Sequence, residues 1–522
     1  MRTVTNIYRP QLPGTMTSEN FSETSDHNDS IKPVSDTAKE ETESTPVPSD
    51  GRPPFSLARE AIFVATLVFA QLLTQAGIGQ SLAPLHIIGN HFNVTNEGEL
   101  SWYLASYALT TGTLILMAGR LGDMFGNKNV FIAGYMWFGV WSIIAGASYW
   151  TSTDKFFVVC RAMQGIGASF LLPNALAILG RTYPQGMRKN MVFSLFGSFA
   201  PTGYILGTVF SSILSRFATW AWAYFIMGFV SLAMAGASIW TIPWPEKTPA
   251  PGRRESFDWY GCLTGVTGLV LFNIAWNQGP NVGWDTPYVY VLLILGTLSL
   301  IAFVFVEKRA KHPLLPVSAL NLHIGLILGA VFAGWSSFGI WLYYIWQYLE
   351  NVRGLSPVLV AAQNSPSSVG GFLASVSVGL MMGKVGVPYI MLMAMCAFCL
   401  ASILVATMTV GQTYWGETFI STLVVPWGLD MSFPAATIML SMSVPKEHQG
   451  IAASMVLTTT NYAISIGLGI AGTVVSQLDQ SSDLATTCKH AWYVSIGLSG
   501  LGILIALVAA WHDRKTPKAA PH

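Results

Sequence analysis

Fourteen apolar stretches of about twenty residues, the length that crosses roughly 30 Å of hydrocarbon, run from Arg59 to the C-terminal tail and constrain this chain more than any other feature. They fall near 61–84, 100–118, 130–149, 156–179, 190–213, 220–242, 259–277, 287–305, 323–347, 356–381, 387–409, 414–440, 450–475 and 491–511. A segment in lipid must satisfy its own backbone hydrogen bonds, so spans of this length are read as helices. Charge distribution agrees. Residues 1–60 carry 16 of the 53 charged side chains, leaving 37 for the other 462 positions. Each charge in hydrocarbon costs roughly 2.5–3.5 kcal/mol on insertion scales. The fold class expected is therefore an all-α membrane protein. Glycines and prolines inside the runs (Pro173, Pro201, Pro366, Pro434) fit a bundle whose neighbouring helices satisfy the freed backbone groups.

Residues 1–58 are rich in Ser, Thr, Pro, Asp and Glu and are expected to form a disordered cytosolic tail, since they bury too little apolar surface to order. Placing that tail inside allocates Arg120, Lys128, Arg181, Arg188, Lys189, Lys247, Arg253, Arg254, Lys308, Arg309, Lys311, Lys384, Lys446, Arg514, Lys515 and Lys518 to one side. The other side receives Lys155, Arg216, Arg353 and Lys489. Sixteen against four is a positive-inside bias, and it supports an even number of spans with both termini cytosolic. A net charge of +1 without a basic run gives no sign of nucleic-acid binding. Cys396 and Cys399 have CxxC spacing but no second pair or histidines nearby, and are read as apolar side chains in a packed helix. His86, His91 and His448 are placed in loops without metal spacing, and Gly379–Val385 is one residue short of a phosphate loop. No paired acids or histidine cluster with catalytic spacing suggests an enzyme.

Three motifs narrow the class. Gly119-Arg-Leu-Gly-Asp-Met-Phe-Gly-Asn-Lys128 resembles the cytosolic loop signature of the major facilitator superfamily, matching at Gly119, Leu121, Gly122, Asp123, Gly126 and Lys128, with Met124 and Asn127 in place of the usual arginines. In that family the loop is a conformational latch, and its acid can dock on a helix N-terminus. Arg161-Ala-Met-Gln-Gly-Ile-Gly-Ala168 looks like an element of proton-coupled drug exporters. Arg161 is the one basic residue that no loop or tail accommodates; it either faces the bundle interior or snorkels to the outer boundary. Gly197-Ser-Phe-Ala-Pro-Thr-Gly-Tyr-Ile-Leu-Gly207 resembles the antiporter motif, with Pro201 to bend the helix and Gly197, Gly203 and Gly207 for close packing at a rocking interface.

The resemblance, over roughly residues 60–511, is to fungal fourteen-span drug:proton antiporters of the aminotriazole-resistance type. It implies two six-helix bundles, 59–243 and 322–511, joined by a linker with two further spans at 244–321 and followed by a tail at 512–522. It further implies proton-coupled efflux of small organic compounds by alternating access, with the proton gradient as energy source and no cofactor. The expected partners are the cargo, protons and lipid, with the chain a monomer. The expected location is the plasma membrane, with the vacuolar membrane as the alternative.

One departure is informative. Gln75 stands where these exporters carry a protonatable aspartate, and an amide cannot hold that proton. This leaves Arg161 and Asp430 as coupling candidates, and favours as an alternative a facilitator or importer of a small ion or ammonium. Gln71, Gln75, Gln80, Trp102, Tyr107, Trp335, Tyr343 and Trp346 are candidates for the cargo cavity, and Asn93-Val-Thr95 is a candidate glycosylation sequon. Glu417 is placed near the outer boundary and read as solvated.

Overall fold

The structure, a computed structural model, describes residues 56–183, 187–243, 257–310, 313–314, 321–382, 384–443, 449–477 and 483–515. Most of the predicted tails and of the linker outside its two helices, together with His448, lie outside the described residues. The described chain is helical: α1 Leu57–Leu82, α2 Leu85–His91, α3 Glu97–Phe125, α4 Asn127–Ala147, α5 Asp154–Thr182, α6 Met187–Phe217, α7 Ala221–Thr241, α8 Trp259–Val282, α9 Pro287–Arg309, α10 Leu322–Gln347, α11 Pro357–Asn364, α12 Pro366–Met381, α13 Val387–Thr407, α14 Glu417–Ser443, α15 Gln449–Val475 and α16 Leu484–Lys515. Twelve of these helices are long and apolar enough to cross a membrane. The twelve do not include α3, or α11 and α12, which together cover the expected span 356–381.

Local chemistry sets the helix ends. Asn96, Asp258 and Asn321 each accept a hydrogen bond from a first-turn amide, at 2.8, 2.8 and 2.9 Å, which satisfies donors that would otherwise be stranded. Prolines open α9, α11, α12 and α13, where the missing N–H costs nothing. Pro366 therefore starts a new helix instead of continuing one, which splits the expected span in two. Gly126 turns α3 into α4 at φ +91°, a conformation that a side chain would resist. Three features were not expected: the short helix α2, a π-helical turn at Tyr348–Val352, and the extension of α16 to Lys515.

Packing defines two groups of helices. In the first, α1 packs on α6, α3 and α4 on α5, and α4 on α7. In the second, α10 packs on α15 and α16, α13 on α14 and α16, and α12 on α14. The groups meet along two seams, α3 with α15 and α6 with α11 and α12. The α8–α9 hairpin lies beside the first seam, with α8 against both α15 and α3. Its outer helix α9 exposes Ile294, Leu298, Ile301 and Phe305, as a lipid-facing helix does. Serine hydroxyls act as glue inside the second group, where Ser337, Ser402 and Ser495 contact one another at 2.7 to 3.2 Å.

Candidate functional site

Arg161 is fully buried on α5, so it does not snorkel to the boundary. Its Nε donates to the Tyr103 carbonyl at 3.0 Å, and its Nη2 to the Gly77 carbonyl at 2.6 Å and Ser81 Oγ at 3.2 Å. Nη1 donates to Gln164 Oε1, and the guanidinium lies 4.5 Å from the centre of the Tyr107 ring. No carboxylate pairs with it among the described residues. A buried cation costs several kcal/mol, which neutral acceptors offset through charge-assisted bonds of roughly 1.5–3 kcal/mol each. Arg161 thus ties α1, α3 and α5 together. Two candidate residues belong to this knot: the Tyr107 hydroxyl donates to the Thr74 carbonyl at 2.8 Å, and Gln80 contacts Gln164 at 3.5 Å.

The Gly197–Gly207 stretch divides its work between two faces of α6. A Cβ at Gly203 would lie 2.8 Å from the Leu72 Cα, and one at Gly207 would lie 2.6 Å from the Ala76 Cα. These glycines therefore seat α6 on α1 within the first group, not at the rocking interface expected from sequence. Gly197 is half-buried but its side-chain direction faces open space: a Cβ there would meet nothing within 4 Å. Pro201 points to the other group. A Cβ on Gly371 of α12 would lie 2.6 Å from Pro201 Cγ and 2.9 Å from Asp430 Oδ2. Pro201 and Asp430, more than two hundred positions apart, thus flank one glycine at the α6–α12 seam. Oδ2 of Asp430 is enclosed and accepts no hydrogen bond from the described residues. Close by in sequence, Tyr204 receives a 2.6 Å hydrogen bond from Trp346 Nε1 of α10, a direct link between the two groups.

The Gly119–Lys128 loop is held by polar contacts to its own group. Asp123 pairs with Arg181 in the last turn of α5 at 2.9 Å, in an exposed position. Asn127, which replaces an arginine of the signature, donates to Asn174 Oδ1 at 2.9 Å, and Asn174 donates onward to the carbonyls of Ala118 and Phe170. Lys128 Nζ donates to the carbonyls of Ile239 and Ile242, where a cation meets the negative end of α7. Gly122 leaves no room for a side chain beside Asn174, whereas a Cβ at Gly119 would lie 3.2 Å from Ser454 Oγ of α15. The loop therefore abuts the first seam.

The remaining candidates are dispersed. Gln71 and Gln75 are half-buried on α1. Trp102 is half-buried with its Nε1 unpartnered among the described residues, and Trp335 donates to Ser432 Oγ at 3.0 Å across α10 and α14. Tyr343 is buried in α10. Asn93 is exposed at φ +58°, a conformation that asparagine tolerates. Glu417 is half-buried with an enclosed Oε2, not simply solvated. Cys396 is exposed on α13, not packed. His86 and His91 sit on α2, not in loops.

At the end of the bundle opposite the Gly119–Lys128 loop, His86 Nε2 lies 2.6 Å from Gln347 Oε1 and 2.8 Å from Asn351 Nδ2. This is a second link between the groups. Sequence reasoning missed it along with Tyr204. The only signal was the i, i+4 spacing of Gln347 and Asn351, which places both amides on one helical face.

A helical bundle of membrane-spanning length, with polar side chains between packed helices, is the architecture of a polytopic membrane protein. Comparison with known proteins identifies it as a transporter. The chain belongs to the Major Facilitator Superfamily, whose family model matches residues 64–362 and 326–522. It is 54% identical to a low affinity ammonium transporter of Saccharomyces cerevisiae, over 88% of this chain and 90% of that one. It is 42% identical to the efflux pump terJ of Aspergillus terreus, over 89% and 90% of the two chains. Identity to the aminotriazole resistance protein of Saccharomyces cerevisiae is 35%, over 86% and 83%. Among solved structures, a POT family transporter in complex with 5-aminolevulinic acid superposes with a TM-score of 0.63 at 13% identity, covering 88% of this chain and 97% of that one. The last likeness concerns the fold alone.

Proposed function

We propose that the chain is a secondary active transporter in which a proton and a small organic cargo act in turn on Asp430, and that its physiological work is proton-coupled export of such compounds. The observation that carries this reading is the enclosed, unpartnered Asp430 oxygen at the seam between the two helix groups. A carboxylate there is neutral when protonated and seeks a cation or a hydrogen-bond donor when ionised, so its charge state biases how the seam packs. Arg161, held by four hydrogen bonds to neutral acceptors, is assigned a fixed structural role. We take α1–α7 and α10–α16 as the two moving bundles. With α3 and the α11–α12 pair counted alongside the twelve apolar helices, the chain crosses the bilayer fourteen times, with the Gly119–Lys128 loop on the cytosolic side. The relatives named as efflux pumps and as a multidrug transporter support export.

A second reading, ammonium as the cargo, is favoured by the 54% identical ammonium transporter and by the amide at Gln75. Proteoliposomes with an imposed pH gradient separate the two when given radiolabelled methylammonium and a panel of organic compounds. Gradient-driven flux should disappear in Asp430→Asn. Flux unchanged in that variant refutes the coupling role, and methylammonium uptake insensitive to the gradient selects the second reading.

A further inference from the structure

We propose that His86 is a proton-binding site that controls closure of the end of the bundle opposite the Gly119–Lys128 loop, acting through Gln347 and Asn351. The proposal rests on the alternating-access reading above but not on Asp430 or on the identity of the cargo. His86 belongs to α2 in the first group, while Gln347 and Asn351 belong to α10 and its π-helical turn in the second. Here the turn keeps the two amides together, with Asn351 Nδ2 donating to Gln347 Oε1 at 2.8 Å. Both amides then converge on one imidazole nitrogen, at 2.6 and 2.8 Å.

One nitrogen cannot serve both contacts in the same way. Bare Nε2 accepts from Asn351 and repels the Gln347 oxygen. Protonated Nε2 gives up the bond from Asn351 and donates to Gln347 Oε1, which still accepts from Asn351, so one bond joins the groups in either state. With both ring nitrogens protonated, the bond to Gln347 becomes charge-assisted and about twice as strong as its neutral counterpart. An imidazole changes charge in the physiological range, and no other side chain does so unperturbed. The charged groups on neighbouring elements are Glu99 on α3, Glu350 and Arg353 on the π turn, and His91 on α2. Arg353 is engaged with the Thr409 carbonyl and Thr418, and His91 with the Tyr149 carbonyl and ring. Below the triad, the Trp346–Tyr204 bond closes the same boundary, so the clasp lies on a surface that the two groups already share. Acidification therefore tightens the clasp, and deprotonation weakens it.

The test uses the full chain in lipid nanodiscs, with its five cysteines replaced and spin labels at Asn90→Cys and Ser356→Cys, which lie at this end on the two groups and are exposed. Distance distributions are recorded from pH 8 to pH 5.5. The short-distance population, relative to the long, should rise about fivefold as pH falls, the step from a neutral to a charge-assisted hydrogen bond. His86→Gln keeps a donor but cannot titrate, so its distribution should be flat with pH. Asn351→Leu should keep the pH response with an altered neutral baseline. A pH response that persists in His86→Gln overturns the proposal, as does a wild-type distribution that does not move. Because the charge of Asp430 also biases the seam, the distances are recorded in an Asp430→Asn background as well: there the pH response should persist while flux is lost, so failure of the coupling reading and failure of the clasp are distinguishable.

Discussion

Replacing Trp346 by Phe removes one hydrogen-bond donor and little volume at the boundary between the two helix groups. Trp346 is 1% exposed, and its Nε1 donates to Tyr204 across the boundary at 2.6 Å. A neutral hydrogen bond of this kind contributes about 0.5–1.5 kcal/mol net. If the bond exists only while this end is shut, its loss changes the ratio of shut to open by about 2- to 13-fold in favour of open, since 1.4 kcal/mol is a factor of ten. Tyr204→Phe should give a shift of similar size, because it removes the same bond from the other side. The decisive quantity is the double variant. Two residues that act through one bond should couple, so Trp346→Phe with Tyr204→Phe should shift the ratio by about as much as either alone. The assay is the label distance described above, or the modification rate of a single cysteine at the same end. Strict additivity would mean that the two side chains act through separate contacts and would refute the reasoning. A Tm unchanged in each variant would confirm that the conformational balance had moved and not the fold.

Other outcomes follow from the packing. Gly207→Val places a branched side chain on the backbone of α1, which cannot yield as a flexible side chain would, so the variant should lose about 1–3 kcal/mol. Thermal unfolding should show this, while Gly197→Val, facing open space, should unfold as the parent does. Arg161→Lys keeps the charge but cannot reach Tyr103, Gly77, Ser81 and Gln164 together, and should cost at least one charge-assisted bond, about 1.5–3 kcal/mol. A thermostability equal to the parent would show that the knot is dispensable. Asn174→Leu should release the Gly119–Lys128 loop from α5, raising protease sensitivity near Phe125 without moving the overall Tm far.

Membership of the class was legible from sequence because its signals are local. A run of twenty apolar residues spans a bilayer whatever surrounds it, and the 119–128 loop carries its own glycines, acid and lysine. Arg161 was noticeable for a similar reason, as a charge stranded inside an apolar run. Its partners were not legible, because the acceptors at Gly77 and Tyr103 are backbone carbonyls, which every residue possesses. The meeting of Pro201 and Asp430 at Gly371 and the link from His86 to Gln347 join residues more than 160 positions apart. No periodicity along the chain encodes such distances.

By itself, then, the sequence determined that the chain is a helical membrane transporter with a cation in an apolar run of one half and an acid in an apolar run of the other, since hydropathy and charge act residue by residue. Only the tertiary structure decided what surrounds those residues. It enclosed Arg161 among neutral acceptors and left an Asp430 oxygen without a hydrogen-bond partner among the described residues, at a seam. It turned Gly203 and Gly207 toward α1 and Pro201 toward α12. The physical reason is that a hydrogen bond or a close backbone approach depends on which surfaces meet, and that choice is made when helices pack, not when they form.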